Sequence, residues 1–146
     1  MRHHLILRVI TKLLVGTIFL FALYVQFHGD YSPGGGFQAG VIMAVAFIIY
    51  GLVFKLEKAK AVFPPWLVHK IVALGVLVYA GTGVYSLLVG YTFLDYAAID
   101  PHSPVHGQHL GILIVELGVG ITVTGVMVAM YYAFAAHAPN LKDEDW

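Results

Sequence analysis

The stretch FHGDYSPGGGFQAGVIMAVAF, Phe27 to Phe47, passes from a His and an Asp through a proline and three consecutive glycines into an almost wholly apolar run. It does not fit a phosphate-cradling loop, because no Lys-Ser/Thr pair follows the glycines and no hydrophobic strand leads into them. A flexible linker fits no better, since the apolar run starts at Phe37, directly after the last glycine. What remains is a tight turn between two apolar segments. Pro33 fixes φ and lacks an N–H donor, which suits a turn or a helix start. Gly34, Gly35 and Gly36 permit positive φ and close backbone approach.

The composition around this turn says what the apolar segments are. Of 146 residues, 60% are hydrophobic and only 11% charged, where a soluble domain carries about 25% charge. A small globule has no room to hide so much apolar side chain, so the expected solvent is the bilayer. The net charge is zero, which leaves no bulk attraction to nucleic acid. The absence of cysteine rules out disulfides, thiolate metal sites and cysteine nucleophiles.

Four runs are long and apolar enough to span. The first covers about residues 5–27, a core from Leu13 to Phe27 preceded by a basic extension whose Arg8 and Lys12 snorkel to the headgroups. The others cover about 37–54, 67–94 and 109–136, the last interrupted only by Glu116. With no water inside the hydrocarbon, each backbone must satisfy itself, so all four are expected as helices. The runs lack the in–out alternation of barrel strands. The predicted fold is therefore an all-α integral membrane protein of four transmembrane helices, a single domain over 1–146 with a Gly-rich outer turn between helices one and two and a short acidic tail over 137–146. A signal peptide reads poorly at the N-terminus, because no small-residue cleavage site follows Phe27.

Charge sets the orientation. Of the eight basic residues, Arg2, Arg8 and Lys12 precede the apolar core of span one at Leu13, Lys55, Lys58, Lys60 and Lys70 precede the apolar core of span three at Ile71, and Lys142 follows span four; the loops from His28 to Gly36 and from Tyr91 to His109 contain none. The positive-inside rule then puts both termini in the cytoplasm and these two loops outside.

Two readings of the glycine turn stand side by side. One is packing: Gly36 and Gly40 form a G-x-x-x-G pair, a helix-packing signature in membranes that Gly107 and Gly111 repeat at the start of span four. The other is ionic: exposed N–H groups at a helix start bind anions and unwound carbonyls bind cations, with His28 and Asp30 placed to tune such a site.

Two longer motifs, HGDYSPGGGFQAGVIMAVAFIIYGL (His28 to Leu52) and GQHLGILIVELGVGITVTGVMV (Gly107 to Val128), resemble the MrpB family, the B subunit of Mrp-type (multiple resistance and pH) sodium/proton antiporters. Ala39 stands where that family commonly has a second glycine, and the His-Gly order before the turn is shifted. The resemblance spans nearly the whole chain. It implies a non-catalytic accessory subunit of a multi-subunit antiporter in the bacterial inner (plasma) membrane, without cofactor. The implied partners are the other Mrp subunits, especially the large A subunit, and the implied transported ions are sodium and protons. The alternative is an autonomous small oligomeric channel or transporter, which would need a ring of Glu116 carboxylates around a pore. An enzyme ranks last, since the chain lacks a nucleophile and a clustered acid/base set.

Glu116 is the one acid inside a span, about 10 Å below the outer end of span four when counted from His109. A carboxylate at that depth must be paired, protonated or facing water. It is read either as an ion-path residue, with His109 two turns above it and Gly120 one turn below, or as glue to a partner helix. The outer sequence DPHSPVHGQH gathers His102, His106 and His109 near Asp100, but the spacing departs from the usual zinc patterns. No metal site is expected, and partner docking is the preferred use of that loop. Pro101 and Pro104 argue against a helical face before His106.

Overall fold

A computed structural model describes residues 3–29 and 33–137, with side chains from residue 5 onward. It contains five α-helices among the described residues: α1 (His3–Phe27), α2 (Gly36–Phe54), α3 (Leu56–Val62), α4 (Pro65–Leu88) and α5 (Pro104–Ala136). A single 3-10 turn, Tyr96–Ala98, lies between α4 and α5. All but α3 are long and apolar enough to cross a membrane. The all-α, four-span reading of the sequence holds.

The helices sort residues by size rather than by polarity. Buried positions on α2 include Gly36, Ala39, Gly40, Ala44, Ala46 and Gly51, while Leu52 and Leu77 are more than two-thirds exposed. Water would drive the large apolar side chains inward. In lipid there is no such drive, and helices associate where small residues let their backbones touch. The chain folds by the second rule.

α5 is the central helix, packed on α2 along one face and on α4 along another, while α1 packs mainly on α2. The α2 face is a row of small residues in contact with backbone: a Cβ on Gly40 would lie 2.7 Å from the Gly120 carbonyl oxygen. Thr124, three-hundredths exposed, donates its hydroxyl hydrogen to Gly120 O at 2.7 Å and lies 3.2 Å from Gly40 O on the facing helix. On the α4 face Gly75 and Gly118 oppose one another, each leaving room for the other's carbonyl.

Three boundaries depart from the sequence reading. α4 starts at Pro65, the first helical position, where a missing N–H costs nothing. It stops at Leu88 and does not reach residue 94, although Tyr91, Phe93 and Leu94 are apolar. Gly90 turns the chain at φ +93°, the Phe93 ring fills the slot left by Gly83, and Ser86 donates its hydroxyl hydrogen to Asp95 O at 3.0 Å. The apolar residues serve a chain reversal instead of another helical turn. α5 in turn starts at Pro104, five residues before the expected start, so His106 and His109 are helical. Proline is tolerated at N1, and Asp100 organises the preceding turn by accepting from the His102 and Ser103 amides. With 33 residues, α5 is about 50 Å long and overreaches a ~30 Å hydrocarbon core. Tilt or ends that project beyond the hydrocarbon take up the excess.

The connection between α2 and α4 carries the unexpected α3, at seven residues too short to cross a membrane. Tyr132 of α5 ties it down, its hydroxyl lying 2.7 Å from Phe63 O and 3.2 Å from Ala59 O, and Phe63 stacks on Phe47 at 4.6 Å. Tyr132→Phe is expected to cost about 1 kcal/mol and to raise hydrogen exchange in 56–63 while leaving α2 and α4 protected. Equal protection of 56–63 in the variant and the parent would remove Tyr132 as the tether.

Candidate functional site

The site is built where α1 ends, α2 begins and α5 passes between them. Gly35 precedes α2 at φ 130°, ψ −178°, a region open in practice only to glycine. Its carbonyl still accepts the first helical bond, from Ala39 N at 3.0 Å. This geometry brings α2 onto α5 so closely that a Cβ on Gly36 would overlap the Glu116 carbonyl oxygen and lie 2.8 Å from its carbonyl carbon.

Glu116 directs its carboxylate into the same turn. A Cβ on Gly35 would lie 2.8 Å from Oε1, and one on Gly29 would meet both carboxylate oxygens, Oε1 at 2.7 Å. Two glycines from either side of the turn thus leave the space the acid occupies. The glycines serve the packing reading directly, and they also make a chamber for the one acid placed in a span.

One turn below, Gln26 of α1 enters. Its carboxamide oxygen occupies the space beside Gly120, next to the Gly36 carbonyl. Gln26 is 5% exposed, and its Nε2 has no hydrogen-bond partner among the described residues. Glu116, Gln26 and Thr124 therefore follow one another down the α1–α2–α5 contact, a polar column within an apolar bundle. Sequence reasoning passed over Gln26. Its signal was there: a carboxamide four residues after the buried Ala22, inside a run of otherwise apolar residues from Ile18 to Phe27.

The other candidates fall in different places. Among the turn residues Gly35, Gly36, Gly40 and Gly120 are buried and Gly34 is half-buried, while Pro33 and Phe37 are exposed. The His28 ring stacks on Tyr24 at 4.1 Å and donates from Nδ1 to the Tyr24 carbonyl at 3.2 Å. Asp30 lies outside the described residues. His109 is exposed near the start of α5. Gly107 and Gly111 do not pack against a helix as their spacing suggests; they accommodate the 3-10 turn, with Tyr96 O 2.7 Å from a Cβ on Gly107 and the Tyr96 ring against Gly111.

In the first turn of α5 His106 donates from Nδ1 to Asp100 Oδ2 at 3.0 Å. That bond, followed by the Ser103 and His102 amides, holds the Asp100 carboxyl below the usual carboxylate range. A lowered pKa means the contacts are present above the ordinary carboxylate value and are lost as pH falls through the lowered one. The acid-limb midpoint of the Ser103 amide resonance is expected below the ordinary carboxylate value, and Asp100→Asn should remove that limb. A midpoint at the ordinary carboxylate value would show that the Asp100 contacts do not form.

A family model described as a domain related to the MnhB subunit of Na+/H+ antiporter matches residues 6–129. A protein of Staphylococcus haemolyticus (strain JCSC1435) named "Putative antiporter subunit mnhB2" is 33% identical over 132 residues, covering 89% of this chain and 93% of the relative. Its namesake in Staphylococcus aureus (strain Newman) is 35% identical over 127 residues, covering 86% and 89%. The matched region takes in the glycine turn, Gln26 and Glu116 alike.

Proposed function

Because the chain belongs to the MnhB family of Na+/H+ antiporter subunits, we propose that it serves as an accessory subunit of a multi-subunit sodium/proton antiporter and that its glycine chamber borders the sodium path. The observation that carries the first part is the family match over residues 6–129, with four helices among the described residues long and apolar enough to span. A carboxylate and a carboxamide one turn apart, in the half of the bundle that holds the glycine turn, support the second. Both can exchange partners with a passing cation or a water, and glycines keep the backbone carbonyls of Gly36 and Gly120 close by. Glu116 is the ion-path residue in this reading, Gln26 its neighbour, and His109, His28 and Asp30 the outer approach.

The proposed setting is the bacterial inner membrane. Arg8, Lys12, Lys55, Lys58, Lys60 and Lys70 favour cytoplasmic placement of their end of the bundle, and with it both termini. The large A subunit is the proposed neighbour. Small residues on helix faces and exposed Pro33 and Phe37 beside the turn suit docking against a larger membrane subunit. The autonomous-channel alternative is not favoured. It needs Glu116 carboxylates ringing a pore between copies, whereas Glu116 lies against Gly29 and Gly35 of its own chain.

Native purification through a tag on this chain tests the proposal. Large membrane subunits are expected to copurify, the A subunit among them. A lone homo-oligomer that conducts ions would overturn it.

A further inference from the structure

At the end of the bundle away from the glycine turn, a cavity of about 180 Å3 opens between α1, α2, α3 and α5. Val15, Phe47, Tyr50, Ala59, Val62 and Tyr132 line it, and the lining is almost wholly apolar. Its rim is the opposite. Lys60 stands between the lining residues Ala59 and Val62, with Nζ 5.8 Å from the centre of the Tyr132 ring. Lys12 is one helical turn before Val15, and it and Arg8 lie 5.9 and 5.8 Å from the centre of the Phe54 ring, which itself stacks on the lining residue Tyr50. Lys55 and Lys58 are exposed on either side of the start of α3.

Arg8, Lys12 and Lys60 have aromatic faces beneath them. The His106–Asp100 ion pair lies at the other end of the bundle, and five cations, Arg8, Lys12, Lys55, Lys58 and Lys60, outnumber Glu57 of α3 around this rim. An apolar slot under a rim with a surplus of lysine and arginine is complementary to a chain of hydrocarbon carrying a negative head. Basic pockets between helices on the cytoplasmic side bind anionic lipid headgroups, and an apolar slot beneath adds the acyl chain.

We propose that this cavity is a resident site for an anionic phospholipid, its phosphate between Lys12 and Lys60 and one acyl chain packed along Val15, Phe47 and Val62. The site rests on the membrane-spanning fold alone and does not depend on ion exchange. It lies across α3, so bound lipid would fix the inner connection to the bundle.

The test uses the full chain, with the subunits that copurify, in nanodiscs of dioleoylphosphatidylcholine with an equal fraction of dioleoylphosphatidylglycerol, read by native mass spectrometry of retained lipid. The parent is expected to retain the anionic lipid about five-fold or more over the zwitterionic one. Lys12→Gln with Lys60→Gln should abolish that preference without changing retention of phosphatidylcholine. Val62 is 59% exposed, so Val62→Trp fills the slot without disturbing the core, and it should lower retention of both lipids. Equal retention of the two lipids by the parent would overturn the site, as would an unaltered preference in the lysine variant or undiminished retention in Val62→Trp. Competition by soluble glycerophosphate as strong as by intact lipid would overturn the acyl-chain part. A photoreactive side chain at position 62 is expected to capture lipid; capture of a protein helix in its place would overturn the lipid as occupant.

Discussion

Replacing Gly36 with alanine is expected to be the most damaging single methyl that can be added to this chain. The new Cβ would overlap the Glu116 carbonyl oxygen, and the next atoms it meets are the carbonyl carbon and Cα of the same residue. Nothing there is the flexible end of a side chain, so α2 and α5 must move apart as bodies. Overpacking of this kind costs about 1–3 kcal/mol or more, and the separation also weakens the Thr124 contact to Gly40 O. Gly35→Leu adds a second mechanism, since a side chain at φ 130° is strained whatever the space and that strain is worth about 1–3 kcal/mol. Assembly with partner subunits is expected to fail in Gly36→Leu and in Gly35→Leu. Gly16→Ala and Gly81→Ala are the controls: a Cβ at either meets nothing within 4 Å, and both should stay within about 0.5 kcal/mol of the parent. Unfolding by a denaturing detergent ranks all of these. Equal stability of Gly36→Ala and Gly81→Ala would mean that α2 and α5 do not touch at this point.

Glu116→Gln is expected to separate function from folding. Glutamine keeps the shape of the side chain in the chamber between Gly29 and Gly35 and replaces one carboxyl oxygen by an amide nitrogen, so the variant should assemble normally. If the carboxylate serves the ion path, the loss is that of a charge-assisted contact, worth about 1.5–3 kcal/mol. Sodium-coupled exchange should then fall roughly ten-fold or more. Exchange measured in membrane vesicles, beside a pulldown showing intact assembly, gives the answer. Full sodium/proton exchange in the assembled Gln variant would discard the ion-path role and leave Glu116 as a packing residue. Gln26→Leu is the companion, because it removes the buried carboxamide beside Gly120 and leaves Glu116 in place.

The family to which the chain belongs was legible in two motifs, and the comparisons bear that resemblance out. The motifs are also the two sides of one contact. His28–Leu52 supplies Gly29, Gly35, Gly36 and Gly40; Gly107–Val128 supplies Glu116, Gly120 and Thr124. Yet the glycine spacing alone misleads. Gly36 and Gly40 do meet a helix, while Gly107 and Gly111, with the same spacing, receive Tyr96. A G-x-x-x-G pair states that something comes close and leaves open what it is. Apolar content misled in the same way at Tyr91–Leu94, where hydrophobicity favours a longer helix and the slot at Gly83 favours a reversal.

Four membrane helices, their order and the placement of a single acid within the last of them followed from the sequence by itself, because hydrophobic length and charge placement are properties of a chain read along its length. Only the tertiary structure decided that α5 stands at the centre, that Gln26 lies beside Gly120, and that Glu116 faces the glycine turn rather than lipid. In a bilayer the apolar pattern no longer marks which face of a helix is inside. The choice passes to contacts between small residues far apart in sequence, and those exist only once the helices have met.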